Sequence, residues 1–132
     1  MGTFKTLEEA REYFKGDRFA TESGMVIDEL TDDICVCSLE LNESHTNAHG
    51  GIMGGVMFTL ADFAFAALSN HNHSVTVAQQ VSVNYLNMVK GNKLIATARF
   101  KKNGRSSCVI NVDVTDDTGK DIIQFVGTGF KL

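Results

Sequence analysis

Gly54-Gly55-Val56-Met57-Phe58-Thr59-Leu60-Ala61-Asp62-Phe63-Ala64-Phe65-Ala66-Ala67-Leu68-Ser69 is the stretch that decides the fold. It is too long for a typical strand and rich in Ala, Leu, Met and Phe. Its apolar residues fall on every side of a helical projection, so it is expected as a helix buried nearly all round. Asn70-His71-Asn72-His73 closes it. A helix this apolar needs cover on both sides, and a curved antiparallel sheet can wrap most of it. The implied class is α+β.

The flanking sequence supplies that sheet. Val75 to Leu86 repeats Val77, Val81, Val83 and Tyr85 at odd positions, and Lys93 to Lys102 puts Leu94, Ala96, Ala98 and Phe100 on one face. Ser107 to Thr115 alternates Cys108, Ile110, Val112 and Val114 with polar partners, and Ile122 to Phe130 follows. Asn103-Gly104 reads as a two-residue hairpin turn, and Asp117-Thr118-Gly119 as the next turn, so the strands form a meander. Upstream, Ile34 to Leu41 is a strand, Phe19 to Leu30 an extended segment interrupted near Gly24, and Asn42 to Gly51 a loop. Thr6-Leu7-Glu8-Glu9 has the form of a capping box, which predicts a short helix through about Lys15 with Gly16 as its stop.

A length of 132 residues with no internal repeat or linker indicates one domain, residues 1–132. Twelve basic against sixteen acidic side chains are scattered along the chain, which argues against nucleic acid as a partner. Lys101, Lys102 and Arg105 form the one basic cluster, at an expected hairpin tip. The one long apolar stretch carries an Asp at its centre, so no membrane span is expected. Three cysteines with no signal peptide point to a reducing cytoplasm. Cys35 and Cys37 alternate on one strand face as buried filler, since a zinc site would need two further ligands. His71 and His73 read as a helix cap, because a metal would require ligands from other elements.

Asp62 is the only ionisable side chain between Gly54 and Leu68. A buried carboxylate raises its pKa or finds donors, so its presence signals either a structural partner or a function. Gly54 and Gly55 begin the same helix, where the first N–H groups have no intrahelical acceptor. Such a terminus can hold an anion or oxyanion. Gly55 and Asp62 share nearly one helical face, roughly 10 Å apart along the axis. One acyl carbon does not easily span that distance, so a second chain is expected to complete the site.

Around these residues runs Asn47-Ala48-His49-Gly50-Gly51-Ile52-Met53-Gly54-Gly55, followed by Phe58-Thr59-Leu60-Ala61-Asp62. From Cys35 to the end, the chain resembles the hotdog-fold thioesterases of the phenylacetate-degradation (PaaI-like) and 4-hydroxybenzoyl-CoA type. The family pattern is Asn, Gly three residues later, His-Gly-Gly, then Asp or Glu seven residues on. Without gaps it falls on Asn47, Gly50, Met53-Gly54-Gly55 and Asp62. Val83-Asn84-Tyr85-Leu86 and Gly104-Arg105-Ser106 match later landmarks. Met53 replaces the His, Ala78 stands where a strand hydroxyl is common, with Thr76 and Gln80 as substitutes on the same strand, and Met88 replaces a usual Pro.

The resemblance implies hydrolysis of an aryl- or medium-chain acyl-CoA to acid and free thiol, in a homodimer or in a homotetramer made of two such dimers. Coenzyme A would be part of the substrate, with no cofactor and no metal. By the same resemblance Asp62 acts as nucleophile or general base, the Gly54 N–H polarises the thioester carbonyl, and Asn47 orients substrate or water. Gly55, Met53, His49, Ala78 and Tyr85 would contact substrate, with Arg105 and Ser106 near the nucleotide end. His49 by itself reads as an ordinary loop residue. A non-catalytic acyl-CoA binder of the same fold is the main rival. A dehydratase would need a His paired with a carboxylate in the groove, and no His is expected on the helix.

Overall fold

Thr6 starts the first helix as the capping pattern predicts: its hydroxyl accepts the Glu9 N–H at 3.1 Å. The computed structural model describes residues 2–132. Helix α1 spans Leu7–Phe14 and a second, unforeseen helix, α2, spans Arg18–Glu22. The sequence predicts extended chain from Phe19 onward, and local hydrogen bonds explain the difference. Thr21 and Ser23 donate their hydroxyls to the carbonyls of Asp17 and Phe19, closing a turn that buries Ala20. Gly24, at φ +104°, then reverses the chain into the sheet.

Strands β1 (Val26–Leu30) and β2 (Ile34–Glu40) precede a 3-10 turn at Glu43–His45 and the long helix α3, Gly54–Asn72. Strands β3 (Thr76–Tyr85), β4 (Lys93–Asn103), β5 (Ser107–Asp116) and β6 (Asp121–Lys131) complete one antiparallel sheet ordered β1-β2-β4-β5-β6-β3. The meander therefore holds for β4, β5 and β6 only. Both sides of β4 are taken, by β2 and β5, so β3 pairs instead with β6 at the far edge. The β4–β5 turn also differs from expectation. Asn103 still pairs with Cys108, Gly104 donates its N–H to the Ser107 carbonyl at 2.9 Å, and residues 104–106 form the connection. Gly104 is not among the glycines with positive φ, so the tight mirror-image turn does not form there.

Helix α3 lies across the sheet and touches all six strands. Leu60, Phe65 and Leu68 are fully buried against Leu94, Ala96 and Ala98 of β4, Ile110, Val112 and Val114 of β5, and Phe125 of β6. Glycines in β6 make room for the helix: a Cβ on Gly127 would stand 2.8 Å from the Phe65 ring. Cys35 and Cys37 are buried as expected, with their sulfurs 3.7 Å apart. Along α3, residues Gly55, Thr59, Asp62, Ala66 and Asn70 recur every three or four positions and stay incompletely buried. That stripe is the face the sheet leaves uncovered.

Among the described residues no helix is long and apolar enough to cross a membrane. Lys101, Lys102 and Arg105 are exposed near the β4–β5 tip, as expected.

Candidate functional site

The loop before α3 is shaped by one side chain. Asn47 Oδ1 accepts the N–H groups of His49 (3.0 Å) and Gly51 (3.2 Å), while the Asn47 N–H donates to the Gly51 carbonyl at 2.8 Å. The oxygen being engaged, the Asn47 amide nitrogen is left with donors to spare. Met53 then caps α3 without a side-chain bond, so the N–H groups of Gly54 and Gly55 have no partner from a capping side chain.

Asn47 and Gly54 line one cavity of about 610 Å³, with His49, Gly51, Ile52, Met57, Tyr85 and the segment Leu86-Asn87-Met88-Val89. Tyr85 stands over the helix start, its hydroxyl 3.4 Å from the Gly54 carbonyl. A Cβ on Gly54 would come within 3.2 Å of that ring, so glycine here lets Tyr85 approach. The cavity thus gathers an amide donor, a free helix terminus and an apolar wall, the pieces needed to hold and polarise a carbonyl oxygen.

The segment just beyond Val89 of this wall is held by Asp116, the last residue of β5, which the strand and turn patterns do not single out. The Asp116 carboxylate accepts the N–H groups of Lys90 and Gly91, each at 2.9 Å, tying the β3–β4 connection to the β5–β6 turn. It also accepts the Thr118 hydroxyl and N–H and the Lys120 N–H. The Thr118 hydroxyl, with the N–H groups of Gly91, Lys90 and Thr118, holds its carboxyl well below the usual carboxylate range. The run Asp116-Asp117-Thr118-Gly119 was the available signal, since Asp and Thr in a turn bond to nearby backbone.

Asp62 lies on a different cavity of the same chain. That cavity, about 310 Å³, is lined by Asp17, Arg18, Phe19, Ala20, Phe58, Thr59, Asp62 and Phe63. Burial first, and the nearby Asp17 charge second, raise the Asp62 pKa above its ordinary value. A single chain therefore keeps Asp62 and the Asn47–Gly54 donors on separate surfaces, as the helical span between them suggested.

The remaining candidates spread out. His49 is an exposed loop residue that also reaches the larger cavity. Met53 is 52% exposed and, like Gly55, lies outside the residues lining that cavity. Ala78 is exposed on β3 beside an irregularity in its pairing with β6. Of the two substitutes, Thr76 is buried and donates its hydroxyl to the His73 carbonyl, while Gln80 is exposed and donates one amide N–H to Ser82. Arg105 and Ser106 are exposed in the β4–β5 connection and line neither cavity.

The histidines at the helix end require one correction. Helix α3 continues through Asn72, so His71 does lie on it, in the last turn. It is buried, accepts the Phe4 N–H at Nδ1 and sits with Nε2 3.1 Å from Asp32 Oδ1. This His–carboxylate pair is at the opposite end of α3 from Gly54, against the N-terminal segment. Among the described residues, no group of three or more His, Cys, Asp and Glu is placed to hold a metal ion.

Residues 49–123 match the family model described as the thioesterase superfamily. The acyl-coenzyme A thioesterase PaaI of Escherichia coli is 25% identical over 97% of this chain and 92% of its own length. Its solved structure superposes with a TM-score of 0.88, covering 95% of this chain and 91% of that one, at 24% identity. The human acyl-coenzyme A thioesterase 13 is 32% identical over 67% of this chain and 66% of its own length. A hypothetical thioesterase of Streptococcus pneumoniae, solved with coenzyme A, is 27% identical with a TM-score of 0.81, over 89% of this chain and 94% of that one.

Proposed function

The chain belongs to the thioesterase superfamily, and on that premise we propose that it hydrolyses acyl-coenzyme A to a carboxylic acid and free coenzyme A through Asp62. The observation that carries this reading is the position of Asp62. It is the one carboxylate on the α3 stripe that the sheet leaves uncovered, and burial and Asp17 raise its proton affinity.

In this reading the Asn47 amide and the Gly54 N–H hold the thioester carbonyl oxygen and the negative charge that grows on it. Asp62 of a second copy either takes a proton from the attacking water or attacks the carbonyl carbon itself. In the first route water adds to the carbonyl carbon, the carbon–sulfur bond breaks, and the departing thiolate takes the proton that Asp62 removed from the water. In the second the thiolate leaves an acyl–Asp62 anhydride and is protonated by solvent, and water then cleaves the anhydride to the acid and free Asp62. No redox step or metal enters this scheme.

The two half-sites meet when two chains pair, and edge strand β3 is the proposed contact. It exposes Val77 and Tyr85 and has β6 on one side only. Two such dimers would pair again into a tetramer. Phe19, Phe58 and Phe63 wall the Asp62 cavity and would take an aryl or medium-chain acyl group. Arg105 and Ser106 are the proposed contacts for the nucleotide end of coenzyme A, with Gly55, Met53, His49, Ala78 and Tyr85 along its path.

The test is free-thiol release from a panel of aromatic and aliphatic acyl-CoAs. We expect turnover by the wild type and a loss of about 100-fold or more in kcat for Asp62→Asn, the range for removing a general base. Met53, exposed where the family has His, favours one second reading: saturable acyl-CoA binding without thiol release would make this chain a binder.

A further inference from the structure

Asp17 occupies the N-cap of α2, where an Asp side chain ordinarily accepts a backbone N–H, yet it makes no capping bond. It lines the cavity of Asp62 instead. No hydrogen bond holds either carboxylate down: burial raises the proton affinity of Asp17, and burial with the Asp17 charge raises that of Asp62. The wall offers little to offset this. Thr59 donates its hydroxyl to the Gly55 carbonyl at 2.7 Å, and Arg18 directs its Nε to Glu22 at 2.8 Å. No ionisable side chain of the sheet lines the cavity, so its charged groups are Asp17 and Arg18 from the α2 end and Asp62 from α3.

We propose that Asp17 is a positioning residue for hydrolysis: free of its own helix cap and placed on the same small cavity as Asp62, its negative charge acts on the reacting carboxylate. This rests on the reading of Asp62 as the reacting carboxylate. Asp17 is exposed, so solvent screens part of its charge, but a like charge on the wall of the cavity that holds the half-buried Asp62 still favours the protonated state of Asp62. A carboxylate tuned upward in this way takes a proton from water more readily. It also explains why an N-cap Asp leaves its own helix uncapped.

The experiment measures kcat/KM against pH for acyl-CoA hydrolysis by the wild type, Asp17→Glu, Asp17→Asn and Asp17→Lys. In parallel, the Asp62 carboxyl is titrated by carbon-13 NMR in each substrate-free protein. The acid limb and the Asp62 titration should both move to lower pH in Asp17→Asn, move further in Asp17→Lys, and stay near wild type in Asp17→Glu. A general loss of folding would not follow that order of charge. If Asp17→Asn and Asp17→Lys titrate as the wild type does while Asp62→Asn is inactive, the inference fails and the role of Asp62 stands. Full turnover in Asp62→Asn would overturn both.

Discussion

At the scale of single residues, the carboxylate proposed for the chemistry works against folding. Burial raises the Asp62 pKa, so the native state favours the protonated form. Stability from this group is therefore fully present below the ordinary carboxylate range and is lost as pH rises through the raised folded value. Asp62→Asn, which carries no charge, should melt at a higher temperature than the wild type near neutral pH. The advantage should disappear at about pH 3, where Asp62 is mostly protonated in both the folded and the unfolded wild type. Calorimetry of the two proteins at the two pH values checks this. A gain in stability together with a loss of thiol release would mark Asp62 as a residue kept for function. Asp116 shows the opposite arrangement, a carboxylate surrounded by donors, and its work is to hold the segment beside a cavity wall.

At the scale of elements, α3 and β6 are fitted to each other by size. Phe65 is one of the largest fully buried side chains, and β6 answers it with Gly127 and Gly129. A Cβ on Gly127 would meet the Phe65 ring at 2.8 Å and the Phe125 ring at 3.1 Å. Both rings are confined by the sheet and cannot simply swing aside. Gly127→Ala should therefore destabilise the protein by about 1–3 kcal/mol, the usual cost of overpacking a filled core. Denaturant unfolding measures it, and a compensating Phe65→Leu should recover part of the loss. The same glycines weaken β6 as an isolated strand, so its pairing with β5 and β3 depends on the helix it receives.

At the scale of the whole molecule, α3 is covered by the sheet and by the N-terminal helices, with the stripe that carries Asp62 left incompletely buried, and β3 leaves the sheet with an open edge. A second copy closing both features would bring the Asn47–Gly54 cavity of one chain to the Asp62 cavity of the other. Val77→Lys, a charge on that edge, should convert the proposed dimer to folded monomers and reduce thiol release to the level of Asp62→Asn. Sedimentation and the thiol assay on the same sample test this, and an active monomer would end the shared-site reading. How much of the site could be read in advance depended on its spacing. Gly54, Gly55 and Asp62 lie on one helix, where sequence separation converts directly into angle and distance. Asp17 precedes a five-residue helix whose only signals are local hydroxyl bonds, and it shares a cavity with Asp62 from 45 residues away in sequence.

The sequence by itself determined the elements that carry a period. The long apolar helix, the alternating strands β2 to β6 and the capped α1 all follow from side-chain spacing, because burial imposes 3.6- and 2-residue repeats on the chain. The sequence also marked Asp62, since a lone charge in an apolar helix has few physical explanations. Only the tertiary structure decided that β3 crosses to the far edge, that residues 104–106 form the β4–β5 connection, and that Asp17 faces Asp62. These depend on which neighbours a strand or turn finds in space. That choice is made by competition among long-range contacts, which no local pattern records.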